Sequence, residues 1–398
     1  MKTVLRLLIF SLLALIAAPV TPGAEVSLLT CMPGSEIYEL EGHSAIRVRF
    51  DDGRDITVNW GVFDFNSPNF VYRFVKGETD YLAAECPTRF FLDEYRRRGR
   101  AVVEQVLDLT PEQTRRLITL IGVNLQPQNR VYRYNYVLDN CATRPLAIIE
   151  SAVGDTLRLS PSGLSESEGS TFRNVMRKYH TNYPWYQFGI DTALGSGIDT
   201  PLSPRMHSFA PVLLREMMAG ATFADGTPVV RATRYAVGSP STPSAVLGAT
   251  PWYLTPLFWG WVVFALALWA SVAQWRGRQV PARWFDTLYF GLSGIEGCVL
   301  TFLIFVSVHY ATSPNLLYLW LNPLCLIGAV APWFVGLKSG RRLEICYQFV
   351  NFALLIALCV TALRGTQSLN PSFVPLIAAS ALRALVNIIK LRQTPHSK

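Results

Sequence analysis

Apolar residues are spread unevenly along this chain. From about residue 250 they gather into runs near Tyr253–Ala273, Phe285–Val308, Leu316–Gly336, Leu343–Leu363 and Phe373–Leu391. A bilayer span needs roughly 20 such residues, so the pattern predicts an all-α membrane domain of five transmembrane helices. Before residue 250 the pattern shortens and alternates. Ser44–Phe50 places apolar residues between Arg47 and Arg49 and reads as a strand, Asp51-Asp52-Gly53 as a hairpin turn, and Ile56–Phe63 as the return strand. Leu28–Thr30 reads as another short strand. Thr110-Pro111-Glu112-Gln113 offers a Thr cap, a first-turn proline and an acid, and predicts a helix to about Asn124. Val131–Val137 reads as strand or extended chain. Cys141 opens a helix whose apolar face continues through Leu146, Ile148 and Ile149, and Thr171–Tyr179 predicts a further one. The exported part is therefore an α+β domain.

The N-terminus adds a compartment. Lys2 and Arg6 precede the apolar stretch Leu7–Ala18, and small or turn-forming residues follow to Ala24, which is a secretory signal by length and flank. Pro22 makes the cleavage site imperfect, and an uncleaved anchor is the competing reading. The expected organisation is a signal peptide over 1–24 and a periplasmic domain over 25–236. A linker over 237–252, a membrane domain over 253–391 and a cytoplasmic tail over 392–398 complete it.

Charge then fixes the orientation. The chain has 398 residues, is 50% hydrophobic and carries a formal charge of +8, with a mean hydropathy of +0.25. Such a charge suits nucleic acid, but the basic residues beyond 250 sit in alternate gaps between apolar runs. Arg276, Arg278 and Arg283 follow the first span, Lys338, Arg341 and Arg342 the third, and Lys390, Arg392 and Lys398 the fifth. That is the positive-inside distribution; it sets the α+β domain outside and argues against nucleic acid as a partner. Glu296 and Arg383 fall inside spans, where a charge costs on the order of 3 kcal/mol. They read as a pair joining two helices, with a neutral Glu296 or a polar pathway as alternatives.

Seven cysteines divide by compartment. Cys298, Cys325, Cys346 and Cys359 lie in apolar runs as small hydrophobes. Cys31, Cys86 and Cys141 are exported, and the odd count reads as a Cys31–Cys86 disulfide with Cys141 free. No Cys/His spacing suits a metal, and the Gly-Ile-Asp steps ending at Asp191 and Asp199 read as turns, so neither metal nor cofactor is expected.

Cys141 at a helix start and His43 at the mouth of a strand form a candidate nucleophile and base. Asn59, on the return strand, is the candidate that orients His43, as in a Cys-His-Asn triad. Asp139 and Asn140 are candidates for helix capping or for an oxyanion site. His180 and His207 are rival bases in polar stretches. At the membrane boundary, His309, Thr312, Asn315 and Asn322 form a possible lipid-interface site, with loop-capping roles as the alternative; an aromatic belt accounts for Tyr310, Tyr318 and Trp320.

Several ordered segments carry a resemblance: Leu29-Thr30-Cys31-Met32-Pro33-Gly34, Gly42-His43-Ser44-Ala45-Ile46-Arg47-Val48, Asn59-Trp60-Gly61-Val62-Phe63-Asp64-Phe65, Tyr134-Asn135-Tyr136 and Asp139-Asn140-Cys141-Ala142-Thr143-Arg144. They resemble the Lnb N-terminal periplasmic domain family. The order His then Cys is also similar to permuted, NlpC-type papain-like folds, which include lecithin:retinol acyltransferase. Ser307-Val308-His309, Thr312, Asn315 and Leu319-Trp320-Leu321-Asn322-Pro323 resemble the matching stretch of full-length Lnb-type proteins. The resemblance implies a papain-like periplasmic domain and lipoprotein N-acylation at the inner membrane, with a phospholipid as acyl donor and a diacylglyceryl-cysteine lipoprotein as acceptor. It puts the nucleophile on Cys141, the base on His43 and the orienting role on Asn59. The chain departs from the family pattern at Glu39-Leu40-Glu41, where an aromatic residue precedes the Gly-His. A membrane-tethered thiol amidase, peptidase or lipid hydrolase is the alternative, and a non-enzymatic membrane assembly protein the second. Oligomeric state is not legible.

Overall fold

The computed structural model describes residues 23–63, 66–160 and 170–393. Residues 1–22 of the signal segment expected over 1–24, and 394–398 of the expected tail, lie outside the described residues, as does the Asp64-Phe65 step; Ala24 already belongs to the first strand.

A seven-stranded sheet organises the first half, in the order β6-β4-β3-β2-β1-β5-β7. The strands are β1 (Ala24–Cys31), β2 (His43–Phe50), β3 (Asp55–Val62), β4 (Asp80–Pro87), β5 (Val102–Leu107), β6 (Val131–Arg133) and β7 (Val230–Val237), and every neighbouring pair is antiparallel. The Asp52-Gly53 hairpin sets Ala45 opposite Asn59 and Arg49 opposite Asp55. Alternation then sends Ile46, Val48, Val58 and Trp60 to one face. On that face pack α3 (Pro111–Asn124), α4 (Thr143–Val153) and α7 (Pro211–Ala219), through Leu117, Ile121, Leu146, Ile149, Leu214 and Met218. The other face, with Leu29, Cys31 and Ala45, is covered by Phe91 and Tyr95 of α2 (Thr88–Arg97). The expected cap of α3 is present in full: Thr110 Oγ1 accepts from the Gln113 N–H, and Gln113 Oε1 from the Thr110 N–H. Val131–Val137 is strand only to Arg133. Val230–Val237, the last segment before the expected linker, closes the sheet beside β5 as an edge strand.

Cys31 and Cys86 are free thiols, which corrects the expected disulfide. Cys31 stands opposite His43 on β2, whereas Cys86 on β4 stands opposite Thr57 on β3. β1 and β4 are three strand spacings apart, about 14 Å, twice the reach of about 7 Å between Cα atoms that a disulfide allows.

In the second half, four helices are long and apolar enough to cross a membrane: α8 (Pro256–Trp275), α9 (Gln279–Phe305), α11 (Lys338–Leu363) and α12 (Phe373–Gln393). The expected third helix, Leu316–Gly336, is broken. It runs as 3₁₀ turns at Leu316–Leu319 and Ala331–Trp333 around the short α10 (Cys325–Val330). Pro323 and Pro332 supply no N–H there. Side chains repair the gaps: Asn322 donates to Tyr318 O and accepts from the Leu324 N–H, and Thr287 Oγ1 donates to Ala329 O. The segment still follows α9 along the bundle, from Leu317 against Leu300 and Leu303 to Trp333 against Trp284. Broken backbone is tolerated at such a depth where protein packs against it; Asn322 is buried, and its backbone atoms would lie 2.3 Å from a β-carbon placed at Gly297.

Arg383 does not pair with Glu296. It grips the Asp286 carboxylate with two hydrogen bonds of 2.6 and 2.7 Å, and Ser271, Gln274 and Asn387 complete the cluster. Arg383 and Asp286 are 0% and 2% exposed. Asp286 was overlooked because it sits one residue inside the expected edge of its span.

Candidate active site

The site begins where β2 and β3 part. Their ladder ends at Ala45–Asn59. Beyond it, Gly61 takes φ +94° at a break in the β3–β4 register, a backbone conformation suited to glycine. Cys141 comes into this opening: its Cβ is 3.8 Å from where a Gly61 β-carbon would be. The Ser44 N–H, the Cys141 N–H and the Tyr134 hydroxyl lie near enough to the sulfur to favour its thiolate form. Ser44 follows His43 directly, so the strand that presents the imidazole also supports the thiol. His43, on the face of Ala45, puts Nε2 2.6 Å from Asn59 Oδ1. An amide oxygen only accepts, so Nε2 carries the proton and Nδ1 keeps its lone pair. The structure thus brings His43, Asn59 and Cys141 to one end of the sheet.

Both reactive groups are neutral at rest. Burial pulls His43 down to about 4, against the Asn59 bond that favours its charged form. Burial pushes the Cys141 thiol up to about 11, outweighing the Ser44, Tyr134 and Cys141 donors. Burial holds Cys31 at about 12, an inert thiol. Near neutral pH this end of the sheet therefore holds a thiol and an imidazole rather than a thiolate and an imidazolium.

Asn140 and Asp139 are structural. Asn140 Oδ1 accepts from the N–H groups of Ala142 and Thr143 at 2.8 and 3.0 Å, capping α4. Its amide donates to Tyr136 O and Phe209 O. Asp139 is clamped by Arg144 at 2.6 and 2.7 Å, and the guanidinium lies 3.4 Å from the Tyr132 ring centroid.

Neither rival histidine reaches the site as a base. His180 is 1% exposed and lies between Gln187 Oε1 and Glu41 Oε1, both at 2.8 Å. His207 is bound to Ser203 O through Nδ1. Glu41 Oε1 also accepts from Tyr136 at 2.5 Å, tying the loop before Cys141 to the turn before His43. This tie was missed because it joins residues far apart in sequence. The departure at Glu41 was its one visible signal. Asp191 and Asp199 both bind Arg173, which is 1% exposed.

The membrane-boundary residues join the two halves. Asn315 donates to Thr192 O at the end of α6 (Pro184–Ala193) and accepts from the Leu317 N–H. Thr312 donates to Leu303 O. His309 Nε2 lies 2.7 Å from Phe74 O of α1 (Phe70–Lys76), and Asn322 repairs the broken span. Arg177, on α5 (Phe172–His180), donates to Ser368, and Asn370 donates to Asp191. His309 and Val308 also wall an open cleft of about 510 Å³, whose other side carries Tyr134, Leu138 and Asp139. The Cys141 end of the sheet thus faces the outer ends of the membrane helices.

Sequence models of two domains match this chain: the Lnb N-terminal periplasmic domain over residues 21–178 and the Lnb transmembrane domain over residues 249–394. Neither curated proteins nor solved structures give a match. The two matched stretches contain β1 to β6, His43, Asn59 and Cys141, the cleft and the whole helix bundle, and on them the chain belongs to the Lnb-type family, as a multi-pass membrane protein with a periplasmic domain.

Proposed function

We propose that this protein is a lipoprotein N-acyltransferase of the inner membrane, working through a thioester on Cys141. One observation carries the reading: a buried thiol at the end of the sheet that holds the His43–Asn59 pair follows directly on a loop whose Tyr134, Leu138 and Asp139 wall a cleft against Val308 and His309 of the membrane half. The Cys141 sulfur attacks the carbonyl carbon of a phospholipid ester while His43 Nδ1 takes the thiol proton. His43 returns that proton to the departing glycerol oxygen, and a lysophospholipid leaves. The α-amine of a diacylglyceryl-cysteine lipoprotein then attacks the thioester; its proton passes through His43 to the sulfur. The Cys141 N–H and the Tyr134 hydroxyl are the donors suited to the tetrahedral oxyanion. Burial of Cys141, 8% exposed, favours the amine over bulk water as acceptor.

The test is the intact mass of full-length protein after incubation with phospholipid. Wild type gains one acyl chain on Cys141 and passes it to a lipoprotein peptide. Cys141→Ser, folded and inserted, loses N-acylation; full activity in that variant would overturn the reading.

A further inference from the structure

We propose that α1 and the cleft behind it form the docking site for an outer-leaflet phospholipid, with α1 as a lip set into the bilayer and the cleft receiving the glycerol ester. The inference rests on the acyl-donor reading above and locates that donor.

α1 turns its apolar side chains outward. Val71, Tyr72 and Phe74 are 73%, 53% and 49% exposed, whereas Arg73 and Lys76 fold back onto Asp80 and Glu78 at 2.6 and 2.9 Å. A short helix that exposes apolar groups and neutralises its own cations is poorly suited to water. Its position identifies what covers it. The Tyr72 ring stands edge-on to Phe302 near the outer end of α9, with centroids 6.0 Å apart. The Val308 N–H donates to Lys76 O at 2.9 Å. Phe305, Val306 and Val308 are also exposed, so the patch continues the lipid-facing surface of α9. A surface continuous with the exposed side of a membrane-spanning helix suits acyl chains.

The cleft lies directly behind this lip. Gly77 ends α1 with φ +82° and lets Val308 and His309 approach; a β-carbon there would meet Val308 Cγ2 at 3.1 Å. Tyr134 lines the same cleft, and its ring lies beside Cys141 at Gly61, where a β-carbon would be 3.7 Å from Tyr134 Cε2 and 3.8 Å from Cys141 Cβ. The surface therefore runs from apolar helix to mixed cleft, with Tyr134 standing between the cleft and Cys141. That gradient matches a phospholipid, whose chains are apolar and whose esters sit at the interface.

The experiment uses the full chain in nanodiscs of phosphatidylethanolamine and phosphatidylglycerol. Phe74→p-benzoylphenylalanine and Leu138→p-benzoylphenylalanine are irradiated beside Arg54→p-benzoylphenylalanine, which lies in the β2–β3 turn at the opposite end of the sheet. Phospholipid mass is expected at 74 and 138 and not at 54; no adduct at 74, or an equal one at 54, overturns the proposal. In a second arm, Val71→Glu with Phe74→Glu should slow acylation of Cys141 by nanodisc lipid about tenfold or more, since charge enters hydrocarbon poorly. Alkylation of Cys141 by iodoacetamide should stay within about twofold, because that reagent needs only the folded site. Equal loss of both means that α1 only supports the fold, and the proposal fails. If wild type forms no acyl adduct, the acyltransferase reading falls alone, and the crosslinks still decide whether lipid docks.

Discussion

At the scale of single residues, the decisive property is that Cys141 and His43 are both uncharged at rest. A thiol near 11 carries roughly one thiolate in ten thousand at pH 7. Alkylation of Cys141 by iodoacetamide should therefore rise about tenfold per pH unit from 7 to 9 without levelling. A plateau across that range would reveal a resting thiolate and contradict the geometry. His43 and Cys141 were legible in the sequence because each depends on its immediate neighbours, a turn before a strand and the start of a helix. Asn59 followed from the Asp52-Gly53 hairpin, whose pairing sets it opposite Ala45, two positions from the imidazole. The Tyr134 contact and the Glu41–His180 pair were not legible. Both arise from loops meeting over the end of the sheet, and no local pattern encodes such a meeting.

At the scale of elements, α4 presents the sulfur, and its first turn depends on Asn140. That one side chain caps two N–H groups and also donates to the carbonyls of Tyr136 and Phe209, at 3% exposure. Asn140→Ala removes the cap, worth about 1 kcal/mol, and strands buried carbonyls for about 1–3 kcal/mol more. Asn140→Asp retains the cap acceptors but turns a carboxylate toward those carbonyls, so it should be no more stable than the alanine variant. Thermal unfolding of the two variants checks this, and rescue by aspartate would contradict it. Elements with local caps or hairpins were read correctly, such as Thr110 with α3 and the β2–β3 pair. β4, β5 and β7 were not, because no turn or cap beside them marks their ends and their partners are distant; β7 exposes most of its residues at the sheet edge. The third span misled for the opposite reason: its apolar count was sufficient, while Pro323 and Pro332 determined its backbone.

At the scale of the whole molecule, the membrane bundle is tied by charge as well as by packing. Arg383 on α12 joins Asp286 on α9 and Ser271 and Gln274 on α8, so three helices share one buried network. Removing one charge strands the other, at a cost of about 3–5 kcal/mol, whereas replacing both with apolar residues can be nearly neutral. Arg383→Met should thus markedly lower the melting temperature in detergent, and Asp286→Met combined with it should restore most of the loss. A double variant as unstable as the single would refute that account. The joint between the halves has a further consequence, in the order of synthesis. Every strand of the sheet, with Cys141 and His43, precedes α8 in the chain. The cleft wall at Val308 and His309 comes only after α9, and the partners Ser368 and Asn370 only after α11. A growing chain therefore holds Cys141 and His43 well before it holds the cleft wall at Val308 and His309, and the two halves are tied together only as the last membrane helices are made.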